Sequence, residues 1–267
     1  MVIRRSQSSG NRYSSLVERI FVDRYKAGMT EMPFRREDLT KAAKALRIAL
    51  PKNLGDVIYS MRYRTELPDA VTDTQPRGKE WVIEGKGKSE YAFRLVTISQ
   101  IVPNPHMAAI KIPDATPEIV GAYALTDEQA ILAKVRYNRL LDIFLGVAAY
   151  SLQNHLRTTV SGLGQVEIDE IYVAIDKRGR QYVVPMQAKG GNDRLSSVQT
   201  KQDIACCKEK FPQLICRAVS AQFISTDLIA LFELGTSGEE IRILEERHYK
   251  LVPADQISEN DLRGYDK

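Results

Sequence analysis

From Gln165 to Lys189 the chain reads QVEIDEIYVAIDKRGRQYVVPMQAK, two runs of strand-forming residues around a turn. No other stretch limits the fold as tightly. Asp176-Lys177-Arg178-Gly179 suits a type I turn closed by a left-handed glycine, the common three-residue hairpin loop. With Asp176 facing Arg180, Asp169 stands opposite Gln187 and Glu167 opposite Lys189. Directly opposed residues project from one face of a sheet, so this register predicts a carboxylate, an amide and an ammonium converging there. A two-residue turn, or a bulge, would shift the pairing by one and bring Glu170 in instead.

Val183 and Val184 leave neither side of the second strand plainly polar, as expected of a central strand covered on both faces. A lysine in that setting is costly unless paired, which argues that Gln187 and Lys189 face a site rather than solvent. Carboxylate and amide oxygens are hard ligands suited to Mg²⁺, which keeps several waters and needs only one or two protein carboxylates. Such an ion polarises a phosphate and acidifies bound water, while a lysine can orient that water or stabilise developing charge.

Around the hairpin, residues 127–157 (DEQAILAKVRYNRLLDIFLGVAAYSLQNHLR) are expected to form one long helix, capped by Thr126 and buried against a sheet. A second helix is expected through LSSVQTKQDIACCKEKF, and strands in LICRAVSAQFI and DLIALFEL. Further oxygen ligands are sought in Asp142, which interrupts the apolar run RLLDIFLG and as a buried carboxylate needs a partner or a metal, in Glu167 and Glu128, and in Gln199 and Gln202 on the later helix.

The front of the chain is different. Residues 1–110 hold 19 Lys+Arg against 12 Asp+Glu, and the remainder 19 against 22. A basic module followed by one that needs carboxylates fits nucleic-acid binding. In SSLVERIFVDRYKAG, a helix carries Leu16, Val17, Ile20 and Phe21 on one stripe, with Ser15 and Glu18 as a capping box and Gly28 as the stop. A second helix places Leu39, Ala42, Ala43 and Leu46 inward. The third, NLGDVIYSMRYR, buries Leu54, Val57, Ile58 and Met61. EWVIEGKGKSEYAFRLV then reads as a hairpin with a Gly-Lys-Gly-Lys tip. Three helices and a basic hairpin resemble a winged helix. On that likeness Tyr59, Ser60, Arg62, Tyr63 and Arg64 would meet double-stranded DNA, and Lys86 and Lys88 its phosphates. Residues 102–125, rich in proline, are expected to connect the winged-helix-like domain (1–101) to the second domain (126–267).

Other chemistries find little support. Cys206, Cys207 and Cys216 show no metal-ligand spacing and read as small buried apolar residues; His106, His155 and His248 are too scattered for a zinc site or a Ser-His-Asp triad. No apolar run approaches a membrane span, and the first residues lack the apolar stretch of a secretory signal, so a cytoplasmic location is expected.

Asp169, an intervening hairpin and Gln187-x-Lys189 resemble the signature of the PD-(D/E)XK nuclease superfamily. The Q-x-K form is similar to that of the methylation-directed, Mrr-type restriction nucleases. The likeness covers about residues 126–235 and implies an α/β (α+β) fold, a restriction-endonuclease-like mixed sheet flanked by helices. It also implies Mg²⁺ or Mn²⁺ as cofactor, Asp169 and Gln187 as metal ligands, Lys189 as the assistant to the attacking water, and a homodimer acting in restriction of foreign DNA. The family's usual proline is missing before Asp169, and Gln187 stands where an acid is usual. A non-catalytic DNA-binding regulator and a junction or RNA nuclease are the alternatives.

Overall fold

The computed structural model describes residues 12–50, 53–63, 65–98, 100–123, 127–190, 193 and 195–264. The fold is mixed α/β and divides into two compact units, residues 1–99 with Ser161–Gly164, and Gln100–Val160 with Gln165–Lys267.

The first unit runs α1 (Arg12–Val22), β1 (Glu31–Arg35), α2 (Arg36–Leu46), α3 (Leu54–Tyr63), α4 (Asp69–Thr72), β2 (Glu80–Gly87) and β3 (Glu90–Val96). Its three strands form an antiparallel sheet in the order β1-β3-β2. The predicted stripes are its core: Leu16, Val17, Ile20 and Phe21 of α1 pack with Leu39, Ala42 and Ala43 of α2 and with Val57, Ile58 and Met61 of α3. Phe21 joins them to the sheet, edge-on to Trp81 and Phe93.

Four details differ from expectation. Helix α1 is already formed at Arg12, so Ser15 lies inside it and cannot cap it. Strand β1, EMPFR, was not expected, since a run of only five residues with a proline at its centre is a weak strand signal. Leu46 is exposed at the end of α2. The hairpin tip is Lys88-Ser89 rather than Gly-Lys-Gly-Lys, because Glu84, Gly85 and Gly87 remain in the ladder.

The second unit begins with β4 (Gln100–Ile101) and continues with β5 (Ala109–Pro113), α5 (Glu118–Tyr123), α6 (Asp127–Tyr137), α7 (Leu140–Leu145), β6 (Ala148–Val160), β7 (Gly164–Ile175) and β8 (Gln181–Lys189). There follow β9 (Leu195–Ser196), α8 (Ser197–Lys210), β10 (Ile215–Cys216), β11 (Ala218–Ser225), β12 (Leu228–Ser237), β13 (Glu240–Val252), a single 3-10 turn at Ala254–Gln256, and α9 (Glu259–Gly264). The large sheet has the order β5-β13-β12-β11-β8-β7-β6, with β10 beside β8. Strands β8 and β11 are parallel, as are β5 and β13, so the sheet is mixed.

Segment 102–125 is therefore not a connector. Its β5 pairs with β13 at the sheet edge, because Ile110 and Ile112 pack on the core. The expected long helix is also corrected: it breaks at Arg139, which adopts φ 53°, and ends at Gly146, with φ 65°. Beyond that glycine, AAYSLQNHLRTTV is the edge strand β6. The expected burial against the sheet holds for α6 and α7: Leu132, Val135, Leu140, Leu141, Phe144 and Leu145 pack in one core with Tyr172, Val184 and Met186, while Ile143 is half exposed. Thr126, the expected cap, lies outside the described residues. Cys206 and Cys207 are buried and Cys216 is half-buried, all three as free thiols.

Candidate active site at the carboxyl end of β8

The hairpin loop is the three-residue type. Gly179 takes φ 79°, its N–H donates to the Asp176 carbonyl, and the Asp176 N–H donates to the Arg180 carbonyl at 3.1 Å. The ladder then runs from Ile175 opposite Gln181 to Glu170 opposite Met186, the register expected from the turn. One step further the backbone pairing gives way to side chains. Asp169 Oδ2 accepts the Ala188 N–H at 2.8 Å, and Gln187 Nε2 donates to the Glu167 carbonyl at 3.1 Å. Strands β7 and β8 thus hold Asp169 and Gln187 in place through bonds that an ordinary ladder would spend on backbone.

Gln187 is 2% exposed, and its remaining atom, Oε1, is buried with no hydrogen-bond partner. A buried amide oxygen without a partner costs roughly 1–3 kcal/mol. Such an atom suits a cation or a bound water. Lys189 Nζ pairs with Glu128 Oε1 of α6 at 2.6 Å, with the lysine side chain 15% exposed. The site lies where β8 ends beside its parallel neighbour β11, and Gln187 stands opposite Ser220. The carboxyl ends of parallel strands are where open α/β sheets place ligands.

The electrostatics assign roles. Burial pushes the Asp169 carboxyl above the usual range; the Ala188 N–H and Lys189 pull against that rise, and Glu128 adds to it. Burial works to lower the Lys189 ammonium, but Asp169 and Glu128 outweigh it and hold the group above its ordinary value. Lys189 is therefore a fixed positive charge and not a base. Behind Gln187, from α8, lies Asp203, 2% exposed and with Oδ1 unpartnered. Its burial drives the carboxyl well above the carboxylate range, against contact with the Gln187 amide and with the charge of Asp169 adding to the rise. Nothing local in DIACCKEK marks Asp203 as a site residue: helix α8 approaches β8 only through the tertiary fold.

The other expected ligands go elsewhere. Asp142 Oδ1 accepts the Ala149 N–H and pairs with Arg139, closing the turn between α7 and β6. Glu167 lends the site its carbonyl, while its carboxylate pairs with Arg157 at 3.0 Å. Glu170, the residue a shifted register would have brought in, is fully buried and bound by Arg136 and by Ser151 Oγ. Gln202 is buried on α8 beside Asp203, and Gln199 is half-buried one turn earlier. Among the described residues no cluster of three or more His, Cys, Asp or Glu is close enough to hold a metal. The donor set that does fit a hard cation is one carboxylate, Asp169, and one unpartnered amide oxygen, Gln187 Oε1.

In the first unit, the residues expected to meet DNA divide. Tyr59 is 47% exposed on α3, and Ser60 Oγ bonds Thr65 Oγ1. Arg62 is drawn inward, its Nε donating to the Ile83 carbonyl at 3.0 Å, and braces α3 on β2. Lys86 pairs with Glu31 and Glu84. Lys88, exposed at the hairpin tip, borders a hollow of about 310 Å³ together with Arg35 and Arg36. The Tyr63 side chain and Arg64 lie outside the described residues. No helix among the described residues is long and apolar enough to cross a membrane.

Neither a protein-family model, nor a curated protein, nor a solved structure matches this chain.

Proposed function

We propose that the chain is a metal-dependent endonuclease of PD-(D/E)XK type, hydrolysing DNA phosphodiesters, with a winged-helix-like module that docks on double-stranded DNA. The observation that carries the proposal is the side-chain bonding of β7 to β8, in which Asp169 accepts the Ala188 N–H and Gln187 donates to the Glu167 carbonyl, with Gln187 Oε1 buried without a hydrogen-bond partner and Asp169 within reach of the Lys189 charge. Asp169 and Gln187 are the residues that would hold Mg²⁺ or Mn²⁺. Such an ion, when bound, polarises the phosphate and supplies a water of lowered pKa. Lys189, kept as an ammonium by Asp169 and Glu128, stabilises the negative charge that develops on the phosphoryl oxygens. Glu128 fixes the direction of that ammonium. The order α1-β1-α2-α3-α4-β2-β3 with sheet order β1-β3-β2 supports the winged-helix reading of the front unit. Breaking both strands of a duplex needs two such sites, which supports a homodimer. A cytoplasmic restriction role accords with this chemistry.

The test is digestion of methylated and unmethylated genomic DNA with the purified protein in Mg²⁺ or Mn²⁺, followed by sequencing of the ends. New ends that require the metal are expected. Intact DNA of both kinds would overturn the proposal and favour a DNA-binding regulator in which Gln187 has replaced a catalytic acid.

A further inference from the structure

His155 lies on the edge strand β6 with φ 48°, a left-handed conformation that interrupts an otherwise extended run. A non-glycine residue there re-aims its side chain out of the strand's alternation, and such positions gather at functional sites. The side chain turns to α6, where Gln129 Nε2 lies 2.8 Å from His155 Nε2. Gln129 follows directly on Glu128, which holds Lys189. His155 also lies within electrostatic reach of Asp169. An amide NH₂ can only donate, so Nε2 accepts and the ring proton sits on Nδ1. Among the described residues Nδ1 has no partner, and the residue is exposed.

We propose that His155 is a further substrate-contacting residue of the site, its Nδ1–H donating to a non-bridging oxygen of the scissile phosphodiester. The inference rests on the nuclease reading. Gln129 sets the tautomer, the left-handed backbone sets the direction, and the open edge of β6 leaves the donor facing solvent, where a nucleic-acid backbone can reach it. No bond is made or broken at the imidazole.

Two substitutions separate the imidazole from the backbone, because glycine and asparagine both tolerate the left-handed conformation. His155→Gly removes the donor. His155→Asn keeps an amide N–H about where Nδ1 stands. In single-turnover cleavage of duplex DNA with Mg²⁺, with melting temperatures checked to confirm folding, His155→Gly is expected to lose about 10- to 100-fold in rate, the scale of one lost charge-stabilising donor at a partly solvated site. His155→Asn is expected to stay within about threefold of wild type, and free imidazole to restore part of the glycine variant's rate. Wild-type cleavage with an equally active His155→Gly would overturn this inference and leave the nuclease reading standing. A wild type that cuts no DNA with either metal would remove both.

Discussion

Glu128 Oε1 lies 2.6 Å from Lys189 Nζ, joining the first turn of α6 to the last residue of β8. The pair places the single ammonium of the site against a carboxylate that is itself 39% exposed. If Glu128 serves to aim the lysine, Glu128→Gln should keep the contact as a hydrogen bond and lower the cleavage rate by no more than about tenfold, whereas Glu128→Ala should lower it by about 100-fold, the cost of misplacing a catalytic group. Single-turnover rates of the two variants check this. Equal rates for Glu128→Ala and wild type would remove the aiming role.

Gln187→Glu tests the metal-binding part of the site. The Gln187 amide donates to the Glu167 carbonyl, and a carboxylate in its place would face that oxygen and the buried Asp203. Without metal the substitution is expected to destabilise the fold by about 1–3 kcal/mol, the cost of an unsatisfied buried polar group. Mn²⁺ should reverse this and raise the melting temperature of Gln187→Glu more than that of wild type, since a ligand that binds only the native state stabilises it by mass action. A melting temperature of Gln187→Glu that ignores Mn²⁺ would count against a cation at this position.

The hairpin was legible because its determinants are local. Gly179 requires a left-handed turn, the turn fixes the loop length, and the loop length places Asp169 beside β8 with no knowledge of the rest of the fold. Long-range partners were not legible. Asp203 meets Gln187, and Glu128 meets Lys189, only because α8 and α6 pack against the sheet, and neither spacing is written in the chain. The break at Arg139 was hidden for another reason. Helical composition continues on both sides of it, through AILAKVRYN before and LLDIFL after, and a residue that adopts positive φ without being glycine leaves no mark in sequence. Edge strand β6 was misread because most of its residues are exposed, so it lacks the apolar alternation of a covered strand.

Asp38 gives the first unit a pH-dependent anchor. Its carboxylate caps the Arg35 N–H at 2.7 Å and pairs with Arg24 at 2.6 Å. Burial works to raise its pKa, but the Arg35 N–H, Arg24 and Lys41 outweigh burial and hold it below 3.8. The folded state therefore prefers the charged form. The stability this contributes is present above the ordinary pKa and is lost as pH falls through the lowered one. Asp38→Asn should cost about 1 kcal/mol near neutrality, typical of a lost helix cap, with the difference from wild type shrinking below pH 3.8. Urea melts at a series of pH values measure it; a difference independent of pH would show that the charge contributes nothing.

Within the first unit, Lys88 and Arg62 are expected to behave oppositely. Lys88 has no ion-pair partner among the described residues, so Lys88→Ala should weaken duplex binding and reduce the salt slope by about one unit, as a lost phosphate contact does. Arg62, which donates to the Ile83 carbonyl, should affect stability instead, with Arg62→Ala lowering the melting temperature at little change in salt slope. Binding titrations at several salt concentrations, read beside thermal melts, distinguish the two. An unchanged slope for Lys88→Ala would place DNA contact elsewhere on the unit.

The central claim is that Asp169, Gln187 and Lys189 form one hydrolytic site. Its most direct measurement is the single-turnover rate of plasmid cleavage in Mg²⁺ for wild type, Asp169→Asn and Lys189→Ala. The account predicts metal-dependent cutting by wild type and a loss of about 100-fold or more in each variant, the effect of removing a group that stabilises transition-state charge. Cleavage by Asp169→Asn and Lys189→Ala at the wild-type rate would contradict it.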